Sequence, residues 1–341
     1  MCGEGVDVRF DDVWITGTGG VLGELLPVRQ AVTDGRYAAA DAAEAGMTSV
    51  SVSVEPPPEM AVRAGRLALG SASPGLHLHG AARFQGIDLW SASCWIASRL
   101  LPGPLAGLSM QVDALCNSGL AALELAATML TARQDLREAL ITVADWFPES
   151  AVDRWNLDSG VLLGDGGAAA VLGRGGGQLR LLSCVSRSDP SLEGLQRGNE
   201  PFHAASPAVL KPLVLRRLAR EFYAVSGRSP ASVVDAHVTG VRTVVAQALA
   251  EAETTLEEAR WAVPPFVGRT SFRFGYAQPL GLDPARTLID LGLSTGHMGG
   301  VDHLYALDHL LRGDLLAPGD KVVLIGVGGG FTFSCAVLEA A

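Results

Sequence analysis

The run Asp113-Ala114-Leu115-Cys116-Asn117-Ser118-Gly119-Leu120, continuing through Ala121-Ala122-Leu123-Glu124-Leu125-Ala126-Ala127-Thr128-Met129-Leu130, constrains this chain more than any other stretch. It reads as a helix that is apolar on nearly every face, and such a helix has to be surrounded by other elements rather than laid on a surface. Cys116 stands where that helix begins. The unsatisfied N–H groups and the positive dipole end at a helix start favour a thiolate over a thiol, which is how a nucleophile is made. A buried structural cysteine fits the same segment.

A chain of 341 residues exceeds the usual size of one domain, so two domains or two fused halves are expected. With 48% hydrophobic and 18% charged residues it can build a large core and is not a disordered chain. The opening Met1-Cys2-Gly3-Glu4-Gly5-Val6-Asp7 lacks the basic-then-apolar plan of a signal peptide, and no stretch reads as a membrane span, so the expected location is the cytoplasm. Cys2, Cys94, Cys116, Cys184 and Cys335 are scattered without disulfide or metal spacing, which fits free thiols in a reducing compartment and no bound metal. A net charge of −10 excludes a basic footprint for nucleic acid.

Strand-like and helical segments alternate from Val13-Trp14-Ile15 to the C-terminus, the pattern of an α/β fold. Two echoes suggest duplication. Gly160 to Leu172 resembles Val322 to Leu338, each reading as a strand, a glycine turn and a return strand; Cys116-Asn117-Ser118-Gly119 resembles His297-Met298-Gly299-Gly300, each opening a helix. The join is expected near Arg174-Gly175-Gly176-Gly177, and the irregular stretch from about Ser186 to Ser206 is expected to loop over the mouth of a site.

These runs, in this order, resemble the thiolase-like condensing enzymes, most closely the β-ketoacyl-acyl-carrier-protein synthase III group. The residues that carry the resemblance are the Cys116 run, Leu163-Gly164-Asp165-Gly166-Gly167-Ala168, the His237 segment and Gly326-Val327-Gly328-Gly329-Gly330-Phe331-Thr332. It implies a five-layered αβαβα thiolase fold of two pseudo-duplicated halves, residues 1–174 carrying the cysteine and 175–341 carrying the partner residues, assembled as a homodimer. It also implies no permanently bound cofactor; the donor would be an acyl thioester of coenzyme A or of a carrier protein's phosphopantetheine arm.

By the same resemblance Cys116 is the nucleophile, His237 matches the family's histidine, either as a second catalytic imidazole oriented by nearby Asp235 or as an inherited residue that only hydrogen-bonds in the core, and His297 stands where the family has asparagine. Asp302, five residues on, completes a cysteine–histidine–carboxylate set suited to acyl transfer, provided that His297 lies in the loop before a helix; otherwise five residues would put the pair on different faces. Asp302 can equally cap the helix start. Backbone N–H groups of Cys116 and Gly329 match the family's oxyanion hole. Arg154 and Arg242 are candidate donor-binding residues, Arg217 joins Arg216 and Arg220 in a basic helix patch, and only Tyr37 is available where the family stacks a tryptophan on adenine. His77, His79, His203, His303 and His309 read as surface or packing residues. The resemblance extends to divergent homologues of antibiotic pathways, cervimycin type, that pass a short acyl group such as malonyl to a small-molecule hydroxyl. Decarboxylative condensation driven by His237 and His297 is the alternative, and an inactive partner subunit of a heteromeric synthase a second.

Overall fold

The computed structural model describes residues 10–158, 160–202 and 214–341; Cys2, His203, Lys211 and the end of the expected loop lie outside them. Eleven strands are formed among those residues, and nine of them build the core. Strands β1 (Trp14–Leu22), β4 (Leu76–Gly80), β5 (Ser109–Val112), β6 (Ala139–Asp145) and β7 (Gly166–Gly173) make one block in the order β5-β4-β6-β7-β1. Strands β8 (Leu179–Ser188), β9 (Ala259–Val263), β10 (Lys321–Gly328) and β11 (Thr332–Ala340) make the other, in the order β8-β11-β10-β9. β2 (Glu24–Pro27) and β3 (Ser49–Val52) form a separate hairpin-like pair.

The two blocks repeat one plan. In each the innermost neighbours run antiparallel, β7 against β1 and β11 against β8; the next pair is also antiparallel, β6–β7 and β10–β11; then a parallel strand is added, β4 on β6 and β9 on β10. β5 extends the first block beyond this shared plan. The blocks touch edge to edge at Trp14–Arg180 and Ile15–Leu179.

Layering follows from the alternation of side chains along each strand. Ala168, Ala170 and Leu172 of β7 and Val322 and Leu324 of β10 face one shared core, together with the helices Ser118–Ala132 and Asp302–Arg312. Ala169 and Val171 face the opposite way, onto the helix Pro57–Leu69; Val323 and Ile325 face the helix Pro230–Glu251. The two blocks of the sheet therefore enclose a middle pair of helices and carry an outer helix each, the five layers of the thiolase fold. Strands such as β6 and β7, buried at every position, read as unbroken apolar runs because both of their faces are covered.

Three expectations need correction here. Gly160–Leu163 is not a strand; it makes only isolated bridges, so the true counterpart of the β10–turn–β11 unit is β6 with β7. Helix Leu115–Ala132 is by length and composition apolar enough to cross a membrane, yet half of it is packed inside the fold. That helix is also not covered all round, for Leu125 is 44% exposed.

Candidate active site

The two middle helices begin side by side, and each is preceded by a single 3-10 turn. Leu115–Asn117 leads into Ser118–Ala132, and Gly299–Val301 leads into Asp302–Arg312. Their contact is backbone on backbone: a Cβ placed on Gly119 would lie 2.2 Å from the carbonyl oxygen of Gly300, so only glycine admits the approach. Cys116 sits in the first turn, directly after Leu115, whose φ of +49° is a left-handed conformation unusual for a branched side chain and typical of strained functional turns. Asn117 is pinned beneath it by an Nδ2–H donated to Ser334 Oγ at 2.7 Å.

His297 lies outside its helix, in an extended segment held to the neighbouring chain. Its N–H donates to Leu162 O at 2.8 Å and its carbonyl accepts from Gly164 N at 2.9 Å. Gly296 and Gly299 flank it with φ of +79° and +65°. The loop placement removes the angular problem of a five-residue separation, and the imidazole Nδ1–H donates to Asp302 Oδ2 at 2.6 Å. Asp302 is fully buried, and its carboxylate also accepts from Met298 N and Phe266 N, each at 2.8 Å. It thus orients the imidazole and secures the helix start at once.

Burial works against a charged imidazole at His297, but the Asp302 carboxylate and the Cys116 sulfur outweigh it and hold the ring's proton affinity well above that of a free histidine. With Nδ1 engaged by Asp302, Nε2 is the nitrogen left for Cys116 and for a substrate. Behind the loop, Asp145 accepts from Ala82 N and Arg83 N at 2.9 Å and 3.1 Å. Its burial raises it to about 8, against the backbone donors Ala82, Arg83 and Gly300 and the charge of His297.

Cys116, His297, His237 and Gly329 open onto one cavity of about 510 Å³. Its wall is otherwise largely apolar, with Leu163, Leu192, Val267, Val327 and Phe331 among the lining side chains, as expected for a small-molecule site. Leu192 and Gln196 come from the irregular stretch after β8, and the Gln196 amide lies against the Cα of Gly329 where a larger residue would have its Cβ. Among the described residues no group of histidine, cysteine, aspartate or glutamate is arranged to hold a metal ion.

Other expected site residues fall elsewhere. His237 is inside the helix Pro230–Glu251, where Asp235 lies about 200° away around the axis and cannot orient it; its neighbours are instead the rings of Tyr276 and Phe333. Arg154 is no donor-binding residue: it is 2% exposed and pairs with buried Asp165 at 3.0 Å while donating to Phe147 O and Leu163 O. This buried pair is a strut behind the Leu163–Ala168 turn. Arg242 is exposed, donates to Pro279 O and does not line the cavity. Arg217 is paired with Glu200 and Glu221, both at 2.6 Å, so its own charge is already engaged. Tyr37 is buried against Trp155 and presents no face to adenine.

Sequence reasoning did not find Tyr276, Gln196 or Asp145, whose positions depend on chain crossings rather than motifs. Tyr276 is 5% exposed on the cavity wall, and burial, with the nearby charges of Cys116 and Asp302, pushes its phenol well above the ordinary range.

Residues 110–190 match the family model described as 3-oxoacyl-[acyl-carrier-protein] synthase III, and residues 249–340 match that of its C-terminal part. A curated relative, the β-ketoacyl-[acyl-carrier-protein] synthase III of Rhodospirillum rubrum, is 28% identical over 235 residues, 68% of this chain and 67% of that protein. Among solved structures, ChlB3, described as an acyltransferase, is 31% identical, with 96% of this chain and 98% of that one covered at a TM-score of 0.89. The synthase III FabH of Pseudomonas aeruginosa PAO1 shares the fold at 20% identity, the same coverage of 96% and 98%, and a TM-score of 0.78.

Proposed function

The chain belongs to the β-ketoacyl-acyl-carrier-protein synthase III-like family of thiolase-fold enzymes, and on that footing we propose that it is an acyltransferase that moves a short acyl group from a thioester to a hydroxyl through an acyl-Cys116 intermediate. The observation that carries this reading is the hydrogen bond from His297 to buried Asp302, set beside Cys116 in one cavity. The donor is a thioester of coenzyme A or of a carrier protein.

Proton bookkeeping supports two successive transfers. In this scheme His297 takes up the Cys116 proton as the sulfur reacts, and Asp302 balances the charge of the ring. The sulfur attacks the donor carbonyl, the donor's C–S bond breaks, and His297 returns its proton to the departing thiolate. Acylation erases the negative sulfur, one of the charges that held the ring protonated, so His297 is left as a neutral base. It then takes the proton of the acceptor hydroxyl as that oxygen closes the ester bond and the Cys116 sulfur leaves. The N–H groups of Cys116 and Gly329 are the proposed donors to the oxyanion in both steps. The likeness to ChlB3 and the engaged Nδ1 of His297 favour acyl transfer over decarboxylative condensation.

Intact-mass spectrometry after incubation with acetyl and malonyl thioesters tests the proposal. Wild type should gain one acyl group that Cys116→Ala does not. Equal labelling of both, or none in wild type, overturns it, and release of carbon dioxide from the malonyl donor would replace ester formation by condensation.

A further inference from the structure

Among the polar side chains of the cavity that the relay leaves unused, Tyr276 and His237 stand together. Tyr276 rides the single π-turn Arg273–Ala277, a distortion that recurs at functional sites. His237 reaches the same cavity from the helix Pro230–Glu251. The two rings meet edge to face with centroids 5.5 Å apart, and Phe333 closes on His237 from 6.0 Å. Among the described residues neither the phenol hydroxyl nor an imidazole nitrogen of this pair has a hydrogen-bond partner. Unpartnered but not sealed in, the Tyr276 hydroxyl opens to the cavity, where a bound ligand can reach it.

Both groups are uncharged at neutral pH, because burial lowers the proton affinity of His237 and raises that of Tyr276. No lysine or arginine is among the lining residues. Two neutral groups that can donate and accept, in a wall that carries the Asp158 carboxylate and no cation, suit a neutral ligand with hydroxyl groups better than an anion. We infer that Tyr276 and His237 form the subsite that holds the acceptor, a neutral hydroxyl compound, beside acyl-Cys116. The inference rests on the acyltransferase reading and adds the chemistry of the second substrate.

The test separates loading from transfer. Wild type, Tyr276→Phe, His237→Phe and His237→Gln are acylated with an acetyl thioester, and loss of acyl mass is followed with cyclohexylmethanol, methyl α-glucoside or cyclohexylmethylamine added. If wild type does not load, the acyltransferase reading itself fails. If it loads, at least one hydroxyl probe should speed its decay more than the amine does. Tyr276→Phe keeps the ring packing, so it and His237→Phe should load within about twofold of wild type. Their hydroxyl-driven decay should be at least about tenfold slower, the scale of one lost hydrogen bond, with His237→Gln in between. Decay by hydroxyl at wild-type rate in both Phe variants, loading and decay that fall together, or a wild type no faster with hydroxyl than with amine would each overturn the inference.

Discussion

The starts of the two middle helices are the same backbone device put to opposite uses. In the first block a 3-10 turn with a strained Leu115 lifts Cys116 to the cavity, half-buried and free to meet a substrate. In the second, the turn is preceded by an extended segment, and the chemistry-bearing ring is 5% exposed, locked to a fully buried carboxylate. One half offers a reagent; the other holds a proton. The difference teaches that duplication supplied the proximity, while the roles were set by what each loop buries.

The largest expected effect comes from breaking the second device. His297→Ala should lower single-turnover transfer by about 10³-fold or more, as loss of the base in a nucleophile–base pair does, with Cys116 still open to alkylation. If transfer survives, the two starts are not one machine. Asp302→Asn preserves shape but removes the charge that holds the ring's proton, so turnover should fall by roughly 10²–10⁴-fold. Because Asp302 raises the affinity of His297, the ring-dependent limb of the pH–rate profile should also move to lower pH, a shift that a merely structural carboxylate would not produce.

Gly119→Ala attacks the contact itself. Its Cβ would press on the Gly300 carbonyl, and backbone cannot swing aside as a side chain can, so the cost should be about 1–3 kcal/mol by denaturant titration together with slowed transfer. An unchanged variant would mean that the two starts are not held in register.

The smallest effect separates the blocks by pH. His77 and His79, both buried on β4, are pushed down to about 3 and about 4 by burial first, with the His77–His79 repulsion adding to the former. Unfolded histidines take up protons near neutrality while these do not, so their contribution is complete above the ordinary histidine range and is lost as pH falls towards those values. His77→Gln with His79→Gln should flatten that acid limb in urea titrations. Asp145 acts with the opposite sign, and its contribution to stability should decline as pH rises from the ordinary carboxylate range to about 8. A first block with no such slope would be electrostatically no different from the second.

Much of the site was legible because it is local. The Cys116 helix announces itself by composition, and the His297–Asp302 pair by a glycine-flanked loop running into a helix start. What misled was the burial of charge. Arg154 reads as a ligand for phosphate until Asp165, met across a turn, turns it into a strut. His237 and Asp235 read as a pair until the helical period sets them on opposite sides, a signal already present in their spacing. Tyr276 left no trace in the sequence, since a π-turn has no residue signature and its neighbours arrive from distant strands. The α/β class was within reach through the alternation of strands and helices, and the five layers through the resemblance, but the echo was drawn through Gly160–Leu163, where a glycine-rich apolar run imitates a strand that never forms.

The carbonyl of Gly300 resting on the Cα of Gly119 gives the molecule a built-in gauge. The gap between sulfur and imidazole records how one slab of the protein is stacked on the other. Any influence that slides the slabs past each other, whether a docked carrier, a subunit neighbour or a substitution far out on either sheet, registers at the reacting atoms, since misplacement by about an ångström is enough to cost orders of magnitude in rate.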